Sequence, residues 1–244
     1  MNFADVKSLT IPEGVVVRIL SGDTVLWAKD TGGLPSAYQQ VEYIETDGNQ
    51  YIDTGVMASD HADGIHYVFR GSFTEFTNPS GNNYMFGCYV SGSRTGNPTV
   101  NKDGSGRTYI IVGNQAAQIC VVSGQPAIGE DFELQCTATS ENVPATTGSF
   151  NGTDMTLTTV ATTARNVAMP AANIWLFWIN GLSTATKYCG KLYAFTMDAA
   201  DGTPIRNFVP CYRKADGVIG LYDTVGGVFY TNAGTGSFTK GADV

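Results

Sequence analysis

Phe132-Glu133-Leu134-Gln135-Cys136-Thr137 alternates apolar and polar residues without interruption. Successive side chains of a β-strand point to opposite faces, so this run predicts a strand with one buried and one solvated face. A sheet that is solvated on one side is typical of antiparallel architectures. On the buried face, Cys136 is interpreted as a core thiol.

Similar short runs recur along the chain, and tight-turn dipeptides separate them. Asp-Gly occurs at 47–48, 63–64, 103–104, 201–202 and 216–217, and Asn-Gly occurs at 151–152 and 180–181. Both dipeptides tolerate the positive φ of tight hairpins. Because no stretch shows the period of an amphipathic helix, we predict an all-β chain, folded as an antiparallel two-sheet jelly-roll sandwich.

The alternating and aromatic runs mark twelve candidate strands in the main domain. These predicted strands are Val41–Glu45, Tyr51–Val56, Ile65–Phe73, Tyr84–Val90, Thr108–Val112, Gln118–Val122, Phe132–Thr137, Met155–Val160, Ile174–Ile179, Lys191–Met197, Gly217–Tyr222 and Val228–Tyr230. The run Ile174–Ile179 does not alternate, so we expect it to be buried on both faces. Tyr193, Phe195 and Met197 are expected on one face of their strand.

Residues 1–33 are predicted to form a separate N-terminal β-meander and linker, followed by the main domain at 34–244. The three runs of this meander are Val6–Ile11, Val15–Leu20 and Thr24–Trp27. Three short strands have little core of their own, so their apolar face must dock on the main domain or on a partner. We expect this segment to mediate attachment or oligomerisation, with Val17, Ile19 and Trp27 as contact residues.

The charge balance argues against nucleic acid and membranes as partners. The 244-residue chain has a net charge of −8, and its densest basic cluster is the pair Arg213-Lys214. Phosphate-backbone binding needs a larger basic footprint. No apolar run approaches the roughly 18 residues of a membrane span, and the N-terminus lacks the pattern of a signal peptide. We therefore expect a protein made in the cytoplasm and not inserted into a membrane.

Both ends of the main domain resemble one known family. The stretches that carry the resemblance are Leu34–Glu45, Gln50–Gly55, Gly190–Phe195, Arg206–Lys214, Gly220–Asp223 and Phe229–Asn232. They resemble the laminin-G-like domains, of the concanavalin A-like class, in bacteriophage and prophage tail proteins. The earlier stretches Val17-Arg18-Ile19 and Val25-Leu26-Trp27 are similar to the short leader that precedes such domains.

This resemblance implies a virion component at the tail or fibre that aids adsorption to the host. Its lectin-like domain would bind host-surface glycan, and its partners would be other virion proteins, with a homotrimer as the expected assembly. Two alternatives stay open: a purely structural decoration or fibre protein without a ligand, and a bacterial carbohydrate-binding module. Fold alone does not decide among them.

Two places combine an aromatic ring with planar polar groups, which is the chemistry of sugar binding. The loop at 78–84 brings Asn78, Asn82, Asn83 and Tyr84 together in the sequence, and Trp178 stands next to Asn180 at an Asn-Gly turn. An aromatic ring can stack on the apolar face of a sugar, while amides bind its hydroxyls. The alternative interpretations are a polar hairpin and a core tryptophan.

Calcium is the expected metal option, because laminin-G-like domains often carry one calcium ion near the rim of the sandwich. Asp60 and Asp63 could supply oxygen ligands. The stretch at 101–106, which contains Asp103, resembles the first half of an EF-hand loop, but the twelfth position is Val112 and not glutamate. The alternative for both loops is a solvated turn.

Catalysis is not expected from this sequence. Glycoside hydrolysis needs two carboxylates that flank the scissile bond, but Glu130 and Glu133 in the nearest acidic stretch would point to opposite faces of a strand. The chain has two histidines, His61 and His66, and no Gly-x-Ser-x-Gly motif. We therefore predict a non-enzymatic protein, with a glycoside hydrolase as the least favoured alternative.

Overall fold

The computed structural model describes most of the chain beyond residue 32 and a short part of the segment before it. The described residues are 18–21, 24–28, 33–78, 82–90, 93–95, 97–101, 107–111, 118–121, 126–138, 147–154, 156–159, 169–181 and 187–244. For the described residues within 18–28, 82, 93–121, 138, 147 and 156–159, the description covers the backbone alone.

The chain separates into two compact units, Met1–Pro35 and Ser36–Val244. In the first unit, β1 (Arg18–Ser21) and β2 (Thr24–Ala28) form an antiparallel hairpin. Ile19 lies opposite Trp27 in the register of this hairpin. Val17 and the predicted first strand, Val6–Ile11, lie outside the described residues, so the attachment role of this segment stays a prediction.

The second unit is built almost entirely of strands, with one 3-10 helix at Ala58–His61 within its described part. Its strands are β3 (Tyr38–Gln40), β4 (Ile44–Thr46), β5 (Ile52–Met57), β6 (Ile65–Glu75), β7 (Asn82–Tyr84), β8 (Phe86–Val90), β9 (Ser93–Thr95), β10 (Asn97–Asn101), β11 (Arg107–Ile111), β12 (Gln118–Val121), β13 (Asp131–Ala138), β14 (Thr147–Phe150), β15 (Thr153–Asp154), β16 (Thr156–Thr159), β17 (Asn173–Leu176), β18 (Cys189–Ala199), β19 (Pro204–Arg213), β20 (Ile219–Asp223), β21 (Val228–Thr231) and β22 (Thr239–Lys240). In the part of the chain described, no helix has the length and apolar character needed to cross a bilayer.

Two antiparallel sheets dominate the second unit. The larger has the order β15-β14-β13-β6-β18-β19-β20-β21, with β3 paired to β19 and β4 paired to both β18 and β22. The smaller has the order β5-β17-β8-β9. Two minor sheets join β11-β10-β7 and β12-β16. The predicted antiparallel all-β class is confirmed.

Aromatic side chains from both sheets meet in one core. Tyr67 of β6 lies 4.8 Å from Phe86 of β8, and Phe195 of β18 lies 4.9 Å from the same ring, measured between ring centroids. All three side chains are fully buried. Burying a ring of this size contributes about 1.5–3 kcal/mol, so these contacts between the sheets are a main source of stability for the sandwich.

The alternation of buried and solvated side chains predicted for Phe132–Thr137 is confirmed in β13. Leu134 and Cys136 are buried in the core, while Glu133 and Gln135 lie on the partly exposed face. The register continues along β6, where Leu134 pairs with Phe69. The prediction of one continuous strand at Val41–Glu45 was wrong, because β3 ends at Gln40 and β4 begins only at Ile44.

A second prediction was wrong in β18, where Tyr193 does not share a face with Phe195 and Met197. The pairing of β18 with β6 shifts register between Leu192 and Ala194. A bulge of this kind inserts one extra residue and changes the phase of the alternation. Leu192, Phe195 and Met197 are therefore fully buried, whereas the Tyr193 hydroxyl donates to the exposed Asp131 carboxylate.

Candidate functional site

The run 174–179 is not the doubly buried strand that its composition predicted. Strand β17 ends at Leu176, and Phe177 has a φ of +74° in the left-handed region. Leu176 and Phe177 are both fully buried, whereas Trp175 and Trp178 on either side are half-buried. Residues three apart in a regular strand lie on opposite faces, but this turn brings the two indole centroids within 6.1 Å of each other.

Tyr51, which directly precedes β5, completes a cluster with these two tryptophans. Its ring stacks on Trp175 at 4.2 Å with 25° between the planes, and it lies 5.7 Å from Trp178 in an edge-to-face arrangement. The Tyr51 backbone is fixed because its N–H donates to the Asn232 side chain and its carbonyl accepts from Ala233. We call Tyr51, Trp175 and Trp178 the aromatic platform.

The platform lies on the outer face of the smaller sheet. Trp175 pairs with Asp53 of β5 on one side and with Gly87 of β8 on the other. The neighbours of Asp53 and Trp175 along their strands, including Ile52 and Ile174, are buried in the core. Gly87, which lies opposite Trp175 in this register, has no side chain.

Planar polar groups and one cation surround the platform. The Asn173 amide donates to both oxygens of the Asp53 carboxylate at 3.1 and 3.3 Å, and the Asn180 amide donates to the Asn173 carbonyl at 2.9 Å. The ammonium of Lys187 lies 4.0 Å from the centroid of the Trp178 ring. A cation at this distance from an indole face is attracted by the ring quadrupole.

Asn180 is held in place through its backbone as well as its side chain. Its carbonyl accepts from the Tyr89 N–H at 2.7 Å, and its N–H donates to Gly87. Gly181 follows with a φ of +83°, and a Cβ there would lie 2.1 Å from the Tyr89 carbonyl oxygen. The Asn-Gly turn is therefore required by the close approach of two backbones.

The exposed part of the platform is mainly carbon surface. The indole nitrogens of Trp175 and Trp178 are buried, and they have no hydrogen-bond partner in the part of the chain that the structure describes. Since each tryptophan keeps partial exposure, the ring carbons are what a ligand would meet. Rings of this kind, flanked by a few polar groups, suit a ligand that has apolar faces and peripheral hydroxyls.

Sequence reasoning found two members of this site and missed the others. Trp178 and Asn180 were predicted, and the structure brings them together with Trp175 and Tyr51. Trp175 was missed because the run 174–179 was interpreted as buried on both faces, and the left-handed residue that breaks the strand had no sequence signal. Tyr51 was missed because only the sheet pairing brings it next to Trp175.

In the second predicted sugar site, the loop at 78–84, the side chain of Asn83 forms hydrogen bonds within the loop itself. Asn83 is fully buried, its side-chain oxygen accepts from Thr77 and from the Asn78 N–H, and its amide donates to the Asn78 carbonyl. Tyr84 is also buried. Asn82 is described only as a backbone position in β7. These contacts give the loop a structural role, and we centre the functional proposal on the platform instead.

The residues suggested as calcium ligands lie in exposed positions. Asp60 is in the 3-10 helix and Asp63 is in the turn that follows it, and both are exposed. Asp103 lies outside the described residues. Across the described ranges, no group of three or more His, Cys, Asp or Glu side chains is arranged to hold a metal ion. Calcium binding therefore stays a prediction.

Glu130 and Glu133, the acidic residues considered as candidates for glycoside hydrolysis, form local hydrogen bonds. Glu130 accepts from the Ala127 N–H at 3.0 Å. Hydrogen bonds from Gln135 and then from Arg70 lower the pKa of Glu133. A general acid in glycoside hydrolysis needs a raised pKa, so Glu133 is tuned in the opposite direction.

A cleft of about 360 Å³ carries a different set of acids at the edge of β4 and β6. It is lined by Glu45, Asp47 and Glu75, with the buried Cys189 beside them. Burial raises the pKa of the Cys189 thiol to about 11, and the neighbouring carboxylates of Glu75 and Asp47 act in the same direction. The sulfur stays protonated near neutral pH and is a poor nucleophile.

Comparison with known proteins supports the fold class. No protein-family model matches the chain, and no curated protein matches its sequence. A candidate carbohydrate-binding protein from Bacteroides ovatus is similar in structure, with a TM-score of 0.50 and 12% identity over 84% of this chain. The match covers 62% of that protein, so this chain spans less than two thirds of its length. At this identity the likeness shows the fold, a jelly-roll-like β-sandwich.

Two further structures are more distantly similar. A heptameric SAP-like pentraxin from Limulus polyphemus matches with a TM-score of 0.40 and 10% identity, over 66% of this chain and 68% of the pentraxin. A Trypanosoma rangeli sialidase, solved with the inhibitor DANA, matches with a TM-score of 0.36 and 12% identity, over 56% of this chain and 20% of the sialidase.

Proposed function

We propose that this protein is a non-enzymatic, lectin-like protein that binds glycan on the aromatic platform. The observation that carries the proposal is the grouping of Tyr51, Trp175 and Trp178 on one outer sheet face beside Asp53, Asn173 and Asn180. Carbon surface on aromatic rings suits the C–H faces of a pyranose ring. Carboxylate and amide groups suit its hydroxyls.

Two features support binding rather than catalysis. The platform polar groups include one carboxylate, Asp53, and it is bonded to the Asn173 amide. Glycoside hydrolysis requires a pair of carboxylates flanking the scissile bond. The fold shared with a candidate carbohydrate-binding protein is in line with this role.

The experiment compares the wild-type protein with Trp175→Ala on a glycan array, followed by calorimetric titration of the best ligand. Removing one stacked ring should weaken binding by at least about tenfold. Tyr193→Ala is the matched control, because Tyr193 is a half-buried aromatic residue on the larger sheet. Its affinity should equal that of the wild type.

A conservative replacement guards against misfolding. Trp175→Phe keeps a ring at the platform and should recover part of the affinity, while thermal unfolding shows whether each variant is folded. The proposal is wrong if the wild-type protein retains no glycan, or if folded Trp175→Ala binds as well as the wild type.

The finer proposal is that the protein is a virion component of a phage or prophage tail that contributes to host adsorption. Its support is the resemblance of both ends of the main domain, Leu34–Glu45 and Arg206–Lys214 among them, to laminin-G-like tail domains. Mass spectrometry of particles purified from the encoding organism would test this location. Particles that lack the chain would favour a bacterial carbohydrate-binding module instead.

The N-terminal segment is proposed to attach the protein to other virion proteins or to form a homotrimer. Its support is the hairpin of β1 and β2, which is a two-stranded element with little core of its own. Sedimentation of the intact protein and of a variant without residues 1–30 would measure the assembly state. An unchanged number of subunits after deletion would contradict the oligomerisation role. A particle-bound chain without any glycan signal would support a purely structural decoration protein.

A further inference from the structure

The rings of the aromatic platform are inclined to one another. The planes of Trp175 and Trp178 differ by 54°, and the planes of Tyr51 and Trp178 differ by 76°. The one nearly parallel pair, Tyr51 and Trp175, is stacked face to face at 4.2 Å. Those two rings cover each other on one face, so the ring planes of the platform have two different inclinations and do not form one flat surface.

A flat glycan cannot stack on two inclined aromatic rings at the same time. In a fully extended β-1,4-linked chain, successive pyranose rings lie in nearly one plane, so aromatic rings that stack on one side of it must be parallel. A chain of this kind can stack on Trp175 or on Trp178, but not on both at once. A glycan whose neighbouring sugars are turned relative to each other can contact both rings.

The inclination is built into the fold. Phe177, with its left-handed backbone, separates the two indoles, and its N–H donates to the Met85 carbonyl at 2.6 Å. The Lys187 ammonium lies over Trp178, and the loop at Asn232 holds Tyr51 against Trp175. Bringing the two indoles into one plane would break these contacts, so binding a flat ribbon across both rings is costly.

We propose that the platform selects glycans whose adjacent sugars are not coplanar and discriminates against flat β-1,4-linked ribbons. This inference rests on the proposed glycan-binding function and names the ligand class for the same site. Selectivity here depends on the angle between two rings, so removing one ring should remove the selectivity as well as part of the affinity.

The test is a panel of soluble oligosaccharides of equal length. The flat set contains β-1,4-linked cello-, manno- and chito-oligosaccharides, and the turned set contains α-1,4-, α-1,6- and β-1,3-linked glucans together with branched host-surface glycans. The best ligand of the turned set should bind at least about tenfold tighter than the best flat ligand. In Trp178→Ala, which leaves one surface, this ratio should fall towards one.

Two controls keep the outcomes separate. Tyr193→Ala should keep the wild-type ratio, and Trp178→Phe, which retains an inclined ring, should keep most of it. Equal or tighter binding of the flat set overturns the inference and leaves the proposed glycan-binding function standing. Retention of no glycan in either set overturns both. A ratio that stays unchanged in folded Trp178→Ala also overturns the inference.

Discussion

Phe177 offers a test of how the platform is built. In a regular strand alanine is more stable than glycine, whereas at position 177 glycine should be the more stable replacement. Phe177 is fully buried against Tyr188 and Phe238, and its φ is +74°. Bulky residues rarely adopt this conformation. We compare Phe177→Ala with Phe177→Gly, since both variants remove the same ring from the core.

The magnitude follows from two opposing terms. Loss of the buried ring should cost about 3–5 kcal/mol in either variant. A non-glycine residue in the left-handed region costs about 1–2 kcal/mol, whereas glycine loses about 0.5–1 kcal/mol more backbone entropy on folding. Taken between the midpoints of the two ranges, the difference leaves Phe177→Gly more stable than Phe177→Ala by about 0.75 kcal/mol.

The assay is urea unfolding, with free energies extrapolated to water and compared between paired variants. The control pair is Phe208→Ala and Phe208→Gly, since Phe208 is also a buried ring but lies in the regular strand β19. There glycine should be the less stable replacement by about 0.5–1 kcal/mol. If alanine is as stable as glycine at position 177, tertiary contacts do not impose the left-handed turn and the reasoning is refuted.

Three further predictions concern stability. Asp223→Ala should lower the free energy of unfolding by about 3–5 kcal/mol, because the buried carboxylate accepts from three backbone N–H groups and pairs with the Arg206 guanidinium. The control Asp216→Ala, at an exposed position, should lower it far less, and equal losses in the two variants would contradict this. Tyr188→Phe should cost about 1–3 kcal/mol, because the single O–H of the buried hydroxyl is held between the Ser72 and Lys191 carbonyl oxygens. An unchanged unfolding midpoint would rule out that role. Burial raises the pKa of Cys189 to about 11 and of Cys211 to about 12, while the pKa of a thiol in the unfolded chain is about 8.5. The contribution of these thiols to the free energy of unfolding is therefore fully present below about pH 8.5. It should fall as the pH rises towards 11, because in that range only the unfolded chain releases these protons. Replacing both cysteines with alanine should reduce this fall, and an equally steep fall would exclude the thiols as its cause.

The predicted strands succeeded where the signal was local. In β13, each residue of Phe132–Thr137 takes the face that simple alternation assigns to it, because a strand period of two needs no knowledge of its partners. The same rule failed in β18, where the bulge near Tyr193 depends on the pairing with β6. A bulge is decided by the register between strands, which a single run of residues does not contain.

The amino-acid sequence by itself determined the all-β class, most of the strand positions and two residues of the candidate site, Trp178 and Asn180. These follow from short-range periodicity, turn chemistry and residue type. Only the tertiary structure decided that Trp175 and Tyr51 join them, because these contacts need the pairing of β5 with β17. The left-handed turn at Phe177 is also a tertiary decision: a bulky residue keeps that backbone only where buried packing and hydrogen bonds to Met85 and Tyr188 outweigh its strain.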